Sequence, residues 1–345
     1  MQLHFSLSRK MLRNVYAGTA IAALAIFAMQ AANAQTLTGA GSTFINPIMS
    51  HWTAAYKAAT GADINYQSIG SGGGISALIH KTIDFAASDV PMTGSEKADA
   101  QGSIVTIPAI IGAVVVAYNI PRIGNGIAFS GPVLADIYSG KIAYWDDPEI
   151  TKLSPGVKFP HESILVVHRS DGSGTTAIFT EYLSKVSSEW NTKVGSGKVV
   201  DWPVGLGGKG NAGVAGYLKN KPYSIGDIEL AYAIEKNIPY ALVKNRAGKL
   251  VYPTIAASSA AADGVKLPAN LEISITNTSN PEGYPITGVS FLIVRQVWQR
   301  NDAAKKFIKW ILTEGQAAGY TEALHYAPLP TAVRNAGLAA IEKVH

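Results

Sequence analysis

Three times in this chain, a β-favouring stretch runs into a turn of Gly, Ser and Thr and then into an amphipathic helical pattern. The turns are GAGSTF at 39–44, GSGGG at 70–74 and DGSGT at 171–175. A strand that leaves through a tight turn into a helix and returns to the same sheet does so as a parallel neighbour, so the recurrence predicts an α/β fold on largely parallel sheets. The first turn leads into a helix with Ile45, Ile48, Met49, Trp52, Tyr56 and Ala59 on one face. Residues 63–69 read as a strand, GSGGG as a turn, ISALIHKT as a short helix and 83–86 as a strand ending at Ser88-Asp89. A strand at 164–168 precedes RSDGSGT, and the helix after it carries Ile178, Phe179, Tyr182, Leu183, Val186 and Trp190 on one face. Toward the end, 289–294 reads as a buried strand and 302–315 as a closing helix.

The run IVTIPAIIGAVVVAYNI (104–120) is apolar enough to suggest a membrane helix. Pro108 and Gly112 break it, and its Val and Ile content favours buried strands. It is the first place where the chain is expected to pass between two lobes, since about 310 residues beyond the N-terminal leader exceed a single ordinary domain. The leader itself has Arg9, Lys10 and Arg13, then VYAGTAIAALAIFAM, then Ala32-Asn33-Ala34. This is the layout of a secretory signal peptide over residues 1–34, with cleavage expected after Ala34, and it predicts a periplasmic, soluble mature protein.

Charge and cysteine content narrow the function classes. The chain has 29 Lys and Arg against 24 Asp and Glu; three positive charges lie in the leader, so 26 against 24 remain. These cations are scattered singly, with no basic stripe, which predicts no nucleic-acid partner. Zero cysteines exclude disulfides and thiolate metal sites.

Each Gly-Ser-Thr turn is also a potential anion seat. Glycine lets backbone N–H groups turn toward an oxyanion, Ser and Thr hydroxyls add donors, and the following helix offers its positive end and unpaired amides. One such turn reads equally well as an ordinary N-cap; three in one chain, one of them beside Arg169, favour a shared anion. Arg169 offers paired donors, though a surface ion pair is its other reading. Asp171 either holds Arg169 or caps the next helix. Asp89, in FAASDVP, is a turn or cap residue, or an acceptor for a protonated ligand oxygen. Under the second reading it repels sulfate and takes the P–OH of phosphate.

The runs LTGAGSTF, NYQSIGSGGG, DFAASDVP, GKIAYWDDP, HRSDGSGTT, WPVGLGGKGNAGVA and FLIVR, in this order, span nearly the whole mature chain. In them the sequence resembles the periplasmic phosphate-binding proteins of bacterial high-affinity phosphate ABC transporters. The resemblance implies a two-lobed periplasmic binding protein fold of type II-like kind, with two hinge strands and the ligand in the interlobe cleft. Residues 35–110 and 284–345 would form lobe 1, and 111–283 lobe 2. It implies that Thr43, Phe44, Ser71, Asp89, Arg169, Ser173, Gly174 and Thr175 hold phosphate, with Asp171 orienting Arg169. The implied partners are inorganic phosphate and the transporter's permease and ATPase; no cofactor and no metal are implied, and a monomer is expected. Ser42 stands where alanine is usual and Gly72 where serine is common, and His168 precedes Arg169. SIGDIELAYA (224–233) departs more clearly, because an aromatic usually follows the glycine, and it carries no assigned role.

Two alternatives remain: a binder of another tetrahedral oxyanion, and a phosphatase built on the same cradle. Hydrolysis calls for a metal or an activated nucleophile, whereas the histidines at 51, 80, 161, 168, 325 and 345 are scattered without H-x-x-H spacing. Only His168 lies near the proposed ligand, and a structural role is expected for it. Gly205, Gly207 and Gly210 fit G-x-G-x-x-G with Asp227 downstream, but VVDWPV before them carries a proline where a central parallel strand should run. Lys209 is followed by Gly210, so the run is no Walker A loop either. The chain is therefore expected to bind rather than to catalyse.

Overall fold

A computed structural model describes residues 36–345; the predicted leader and its cleavage site lie outside the described residues. The strands are β1 (Leu37–Gly41), β2 (Ile64–Ser68), β3 (Phe85–Ser88), β4 (Ile104–Asn119), β5 (Ala128–Phe129), β6 (Leu165–Arg169), β7 (Leu206–Gly208), β8 (Ser224–Glu229), β9 (Leu242–Lys244), β10 (Leu250–Val251) and β11 (Thr287–Arg295). The helices that bear on the site are α1 (Asn46–Thr60), α2 (Ser71–Ile79), α3 (Gly94–Asp99), α4 (Gly131–Tyr138), α5 (Gly174–Val186), α6 (Ser188–Lys193), α7 (Gly210–Asn220) and α8 (Asn301–Leu312).

Eight strands form one sheet in the order β2-β1-β3-β11-β4-β8-β6-β7, and β10-β9-β5 form a second, small sheet. The large sheet is two parallel trios joined back to back: β1 pairs in parallel with β2 and β3, and β6 with β7 and β8. Between the trios run β11 and β4, antiparallel to each other and to their outer neighbours. β4 changes partner along its length, pairing with β11 over residues 104–113 and with β8 over 114–119. This is the α/β, two-lobed architecture: each parallel trio with its helices makes one lobe, and long strands pass between them.

β4 corrects the sequence expectation that Pro108 and Gly112 break the run, since it continues for 16 residues. Opposite Pro108 the register with β11 shifts between Ser290 and Phe291, which leaves Ala109 as a bulge. A proline has no N–H to lose, and a bulge is where a sheet tolerates one. Gly112 has a packing reason: a Cβ there would lie 2.5 Å from the ring of Phe44. That ring packs edge-on to Tyr326, at 6.4 Å between centroids.

Other boundaries move for local reasons. Ala59 is exposed, because α1 reaches past the core in its last turn, while Ile48, Met49, Trp52 and Tyr56 are buried as expected. GSGGG is not a turn throughout: Gly70 is the N-cap, at φ +86°, and Ser71 to Gly74 form the first turn of α2. Trp190 belongs to the separate helix α6, because Ser187 ends α5 in an extended conformation and caps α6 by accepting from the Trp190 amide. The closing helix α8 ends at Leu312, and Glu314–Gln316 is a 3-10 turn.

Candidate functional site

The carboxyl ends of β1, β3 and β6 meet at the seam between the trios, which is where ligands bind open α/β sheets. β1 leads through Ser42, Thr43 and Phe44 to α1; β2 leads through Gly70 to α2; β6 leads through Asp171 to α5. The second and third turns touch, with the Gly72 amide donating to the Gly172 carbonyl at 2.9 Å. The sequence requires glycine where they meet. A Cβ on Gly70 would lie 2.4 Å from Asp171 Oδ2, and one on Gly174 would lie 2.4 Å from Asp89 Oδ2 and 2.6 Å from Ser71 Oγ.

Asp89 follows β3 and is 3% exposed. Ser42 Oγ donates to its Oδ1 and Oδ2 at 2.6 and 2.7 Å, Ser290 Oγ to Oδ1 at 2.6 Å, and Ser71 Oγ to Oδ2 at 3.3 Å. Burial pushes its pKa up, and the hydroxyls of Ser290 and Ser42, the charge of Arg169 and the Ser71 hydroxyl oppose that shift. Asp89 lies in the bend that follows β3 and begins no helix, so it is no helix cap, and its carboxylate accepts from three side-chain hydroxyls.

Arg169 ends β6 with its side chain 1% exposed. Asp171 takes it bidentately, Nε to Oδ1 at 2.8 Å and Nη2 to Oδ2 at 2.5 Å. Nη1 turns the other way, 3.4 Å from Thr175 Oγ1. Asp171 also accepts from the Gly210 amide at 2.9 Å. Burial alone would raise its pKa, but the hydrogen bonds and charge of Arg169, with the Gly210 amide, hold the carboxyl below its ordinary value. Asp171 therefore positions the arginine, and Ser173 caps α5 by accepting from the Thr176 amide.

Thr43 and Thr175 are joined by Asn211, whose Nδ2 donates to Thr43 Oγ1 at 2.8 Å and to Thr175 Oγ1 at 3.1 Å. All nine residues expected at the site thus lie in one connected group. Two of the expected amide donors already have partners: Phe44 N–H donates to Ser42 Oγ at 3.0 Å, and Ser173 N–H to the Lys198 carbonyl at 2.9 Å. The first-turn amides of Gly174 and Thr175 stand at the positive end of α5 with no acceptor within the helix. The arrangement combines a buried cation, hydroxyl and amide donors, and one carboxylate acceptor. It suits a small tetrahedral anion that still carries a proton.

Sequence reasoning missed a fourth strand-to-helix junction. Pro203 argues against a strand before GLGGKG, yet β7 begins at Leu206 as an edge strand beside β6 and leads into α7. No dinucleotide fingerprint results, because Gly210 and Asn211 turn onto Asp171, Thr43 and Thr175. Ser290 was also missed, as was SIGDIELAYA, which supplies β8 and the buried carboxylates of Asp227 and Glu229. A hydroxyl inside the apolar run VSFLIV was the available signal for Ser290. His168 stacks on Trp202 at 4.8 Å and lies 3.0 Å, through Nδ1, from the Arg169 carbonyl. Burial lowers its pKa against that contact.

Comparison with known proteins gives this geometry a family. Residues 28–314 match the model of the PBP superfamily domain. The phosphate-binding protein PstS of Pasteurella multocida is 46% identical over 308 residues, covering 87% of this chain and 88% of the relative. That of Methanocaldococcus jannaschii is 40% identical, covering 88% and 85%. Among solved structures, a high-affinity periplasmic phosphate-binding protein bound with phosphate shares the fold at a TM-score of 0.69 and 22% identity, over 88% of this chain and 93% of that one. A Clostridium perfringens protein solved with bound phosphate does so at 0.61 and 19%, over 86% and 100%. Two lobes of this topology, the site at their seam and the extent of these matches make the chain a member of the PstS family of phosphate-binding proteins, within the PBP superfamily.

Proposed function

We propose that this protein captures inorganic phosphate outside the cytoplasmic membrane and delivers it to the permease and ATPase of an ABC transporter. One observation carries the reading: a buried arginine and a buried carboxylate, Arg169 and Asp89, belong to a single cluster of hydroxyl and amide donors. The arginine and donors suit an oxyanion, and the carboxylate suits one that keeps a proton, as phosphate does near neutral pH and sulfate does not. Thr43, Phe44, Ser71, Asp89, Arg169, Ser173, Gly174 and Thr175 form the phosphate site in this reading, with Asp171 supporting Arg169. Micromolar affinity needs about 8 kcal/mol, and each charge-assisted hydrogen bond contributes about 1.5–3 kcal/mol, so a few such bonds offset the cost of ordering the site.

The lobes are proposed as 35–110 with 284–345, and 111–283. The partner change of β4 after Ala113 and the start of β11 at Thr287 support crossings within a few residues of these bounds. Export through the leader and action as a monomer complete the proposal. Among the described residues no helix is long and apolar enough to cross a membrane. Family membership favours binding over hydrolysis.

Arg169→Ala tests the site. It leaves the anion without its buried cation while Asp89 remains, so phosphate affinity measured by calorimetry is expected to fall more than about tenfold. Unchanged affinity would remove Arg169 from the site. Stoichiometric phosphate binding without turnover of a phosphate monoester separates this reading from the phosphatase.

A further inference from the structure

Ser42 makes a set of contacts that a ligand oxygen would make. Its hydroxyl donates to both carboxylate oxygens of Asp89, at 2.6 and 2.7 Å, and accepts from the amides of Phe44 at 3.0 Å and Ile45 at 3.3 Å. An oxygen that donates one proton to a carboxylate while accepting backbone N–H groups is the pattern of a protonated phosphate oxygen. The contact is rigidly held. Ser42 is fully buried, its own amide donates to the Ala87 carbonyl at 2.8 Å, and Tyr66 Oη donates to the Ser42 carbonyl at 2.7 Å. Asp89 does not depend on Ser42 for its orientation, since Ser290 Oγ holds Oδ1 at 2.6 Å and Ser71 reaches Oδ2.

We propose that the Ser42 hydroxyl is an internal surrogate for the protonated oxygen of the ligand, competing with phosphate for Asp89 and for the Phe44 amide and so limiting affinity. This rests on the phosphate reading and deepens it by adding a residue that sets affinity from within. A bound P–OH must share Asp89 with a hydroxyl that is already there, and the Phe44 amide must leave or divide its bond. Removing the hydroxyl frees both groups for the ligand. A group that merely supported the site would have the opposite effect, because its loss would loosen Asp89.

The test compares wild type, Ser42→Ala and Ser42→Thr by calorimetry with phosphate and with sulfate, alongside thermal melts with and without phosphate. Ser42→Ala is expected to bind phosphate about 3–10-fold more tightly, as a released charge-assisted hydrogen bond becomes available to the ligand. It should melt lower than wild type without phosphate and show a larger phosphate-induced rise. Sulfate, which has no proton for the freed carboxylate, should gain nothing, so the phosphate-to-sulfate ratio increases. Ser42→Thr keeps the hydroxyl and is expected to stay within about twofold of wild type. Equal or weaker phosphate binding by Ser42→Ala overturns the proposal, as does tighter binding by Ser42→Thr, which would assign the effect to something other than the hydroxyl. A wild-type protein that binds no phosphate overturns the parent reading instead.

Discussion

Asp227 lies in the middle of β8, completely buried, and among the described residues neither of its carboxylate oxygens has a hydrogen-bond partner. Burial pushes its pKa to about 8, against the pull of the Arg169 charge, and Tyr138, also buried, feels the carboxylate in turn. In the unfolded chain an aspartate titrates near ~3.9. Between those values the folded protein holds a proton that the unfolded chain has released, so the contribution of Asp227 to stability is complete below pH ~4 and is lost as pH rises toward 8. Asp227→Asn keeps the shape and removes the titration. Its melting temperature is expected to exceed that of wild type by at least ~2 °C at pH 8.5, with the gap narrowing toward pH 4.5. Glu229, raised by its own burial, is common to both proteins and drops out of the comparison. A gap independent of pH would show that Asp227 is not protonated at neutral pH. At this scale the sequence was partly legible. Arg169 stands out because it is a charge two residues before a Gly-Ser turn, whereas Asp89, in FAASDVP, is singled out by the resemblance and not by any glycine beside it. Ser290 and Asn211 do not stand out, because their partners lie 18 or more positions away, and no local spacing encodes those contacts.

Among elements, an ion pair beside the site ties one trio to the other across the seam. Glu96 completes the capping box of α3 with Thr93, and the same carboxylate takes Lys198 Nζ at 2.8 Å. α3 follows β3 in one trio, while Lys198 lies between α6 and β7 in the other, where its carbonyl accepts from the Ser173 amide. The pair is largely sheltered, with 13% of the lysine and 23% of the glutamate side chain exposed, and burial of Glu96 is outweighed by Lys198 and Thr93, which lower its pKa. A contact made only when the lobes are together should slow their parting more than their meeting. Lys198→Ala is therefore expected to raise the phosphate dissociation rate about 3–10-fold in stopped-flow displacement, with association changed less than about twofold. An effect confined to association would assign Lys198 to steering the anion instead. Three of the four junctions at the seam were readable from their glycines and hydroxyls. The fourth was hidden because β7 is a three-residue edge strand, and periodicity needs more length than that.

For the molecule as a whole, the recurrent turn pattern was enough to predict parallel α/β packing. The joining of the two trios was harder to see. β4 reads as a broken apolar run, yet its proline sits at a bulge and its glycine admits the ring of Phe44, so one strand serves both lobes. Such a fold brings together, at the ends of strands far apart in sequence, a cation and a carboxylate that would repel or neutralise most ligands if either acted alone. The central claim is that this pairing selects phosphate. It is tested most directly by titrating the purified mature protein with phosphate and with sulfate at neutral pH, following the fluorescence of tryptophans such as Trp202, which stacks beside Arg169 on His168. The account predicts saturable one-to-one phosphate binding that a hundredfold excess of sulfate leaves in place, roughly the discrimination expected when one buried acceptor meets no proton. Equal binding of the two anions, or none of phosphate, would contradict it.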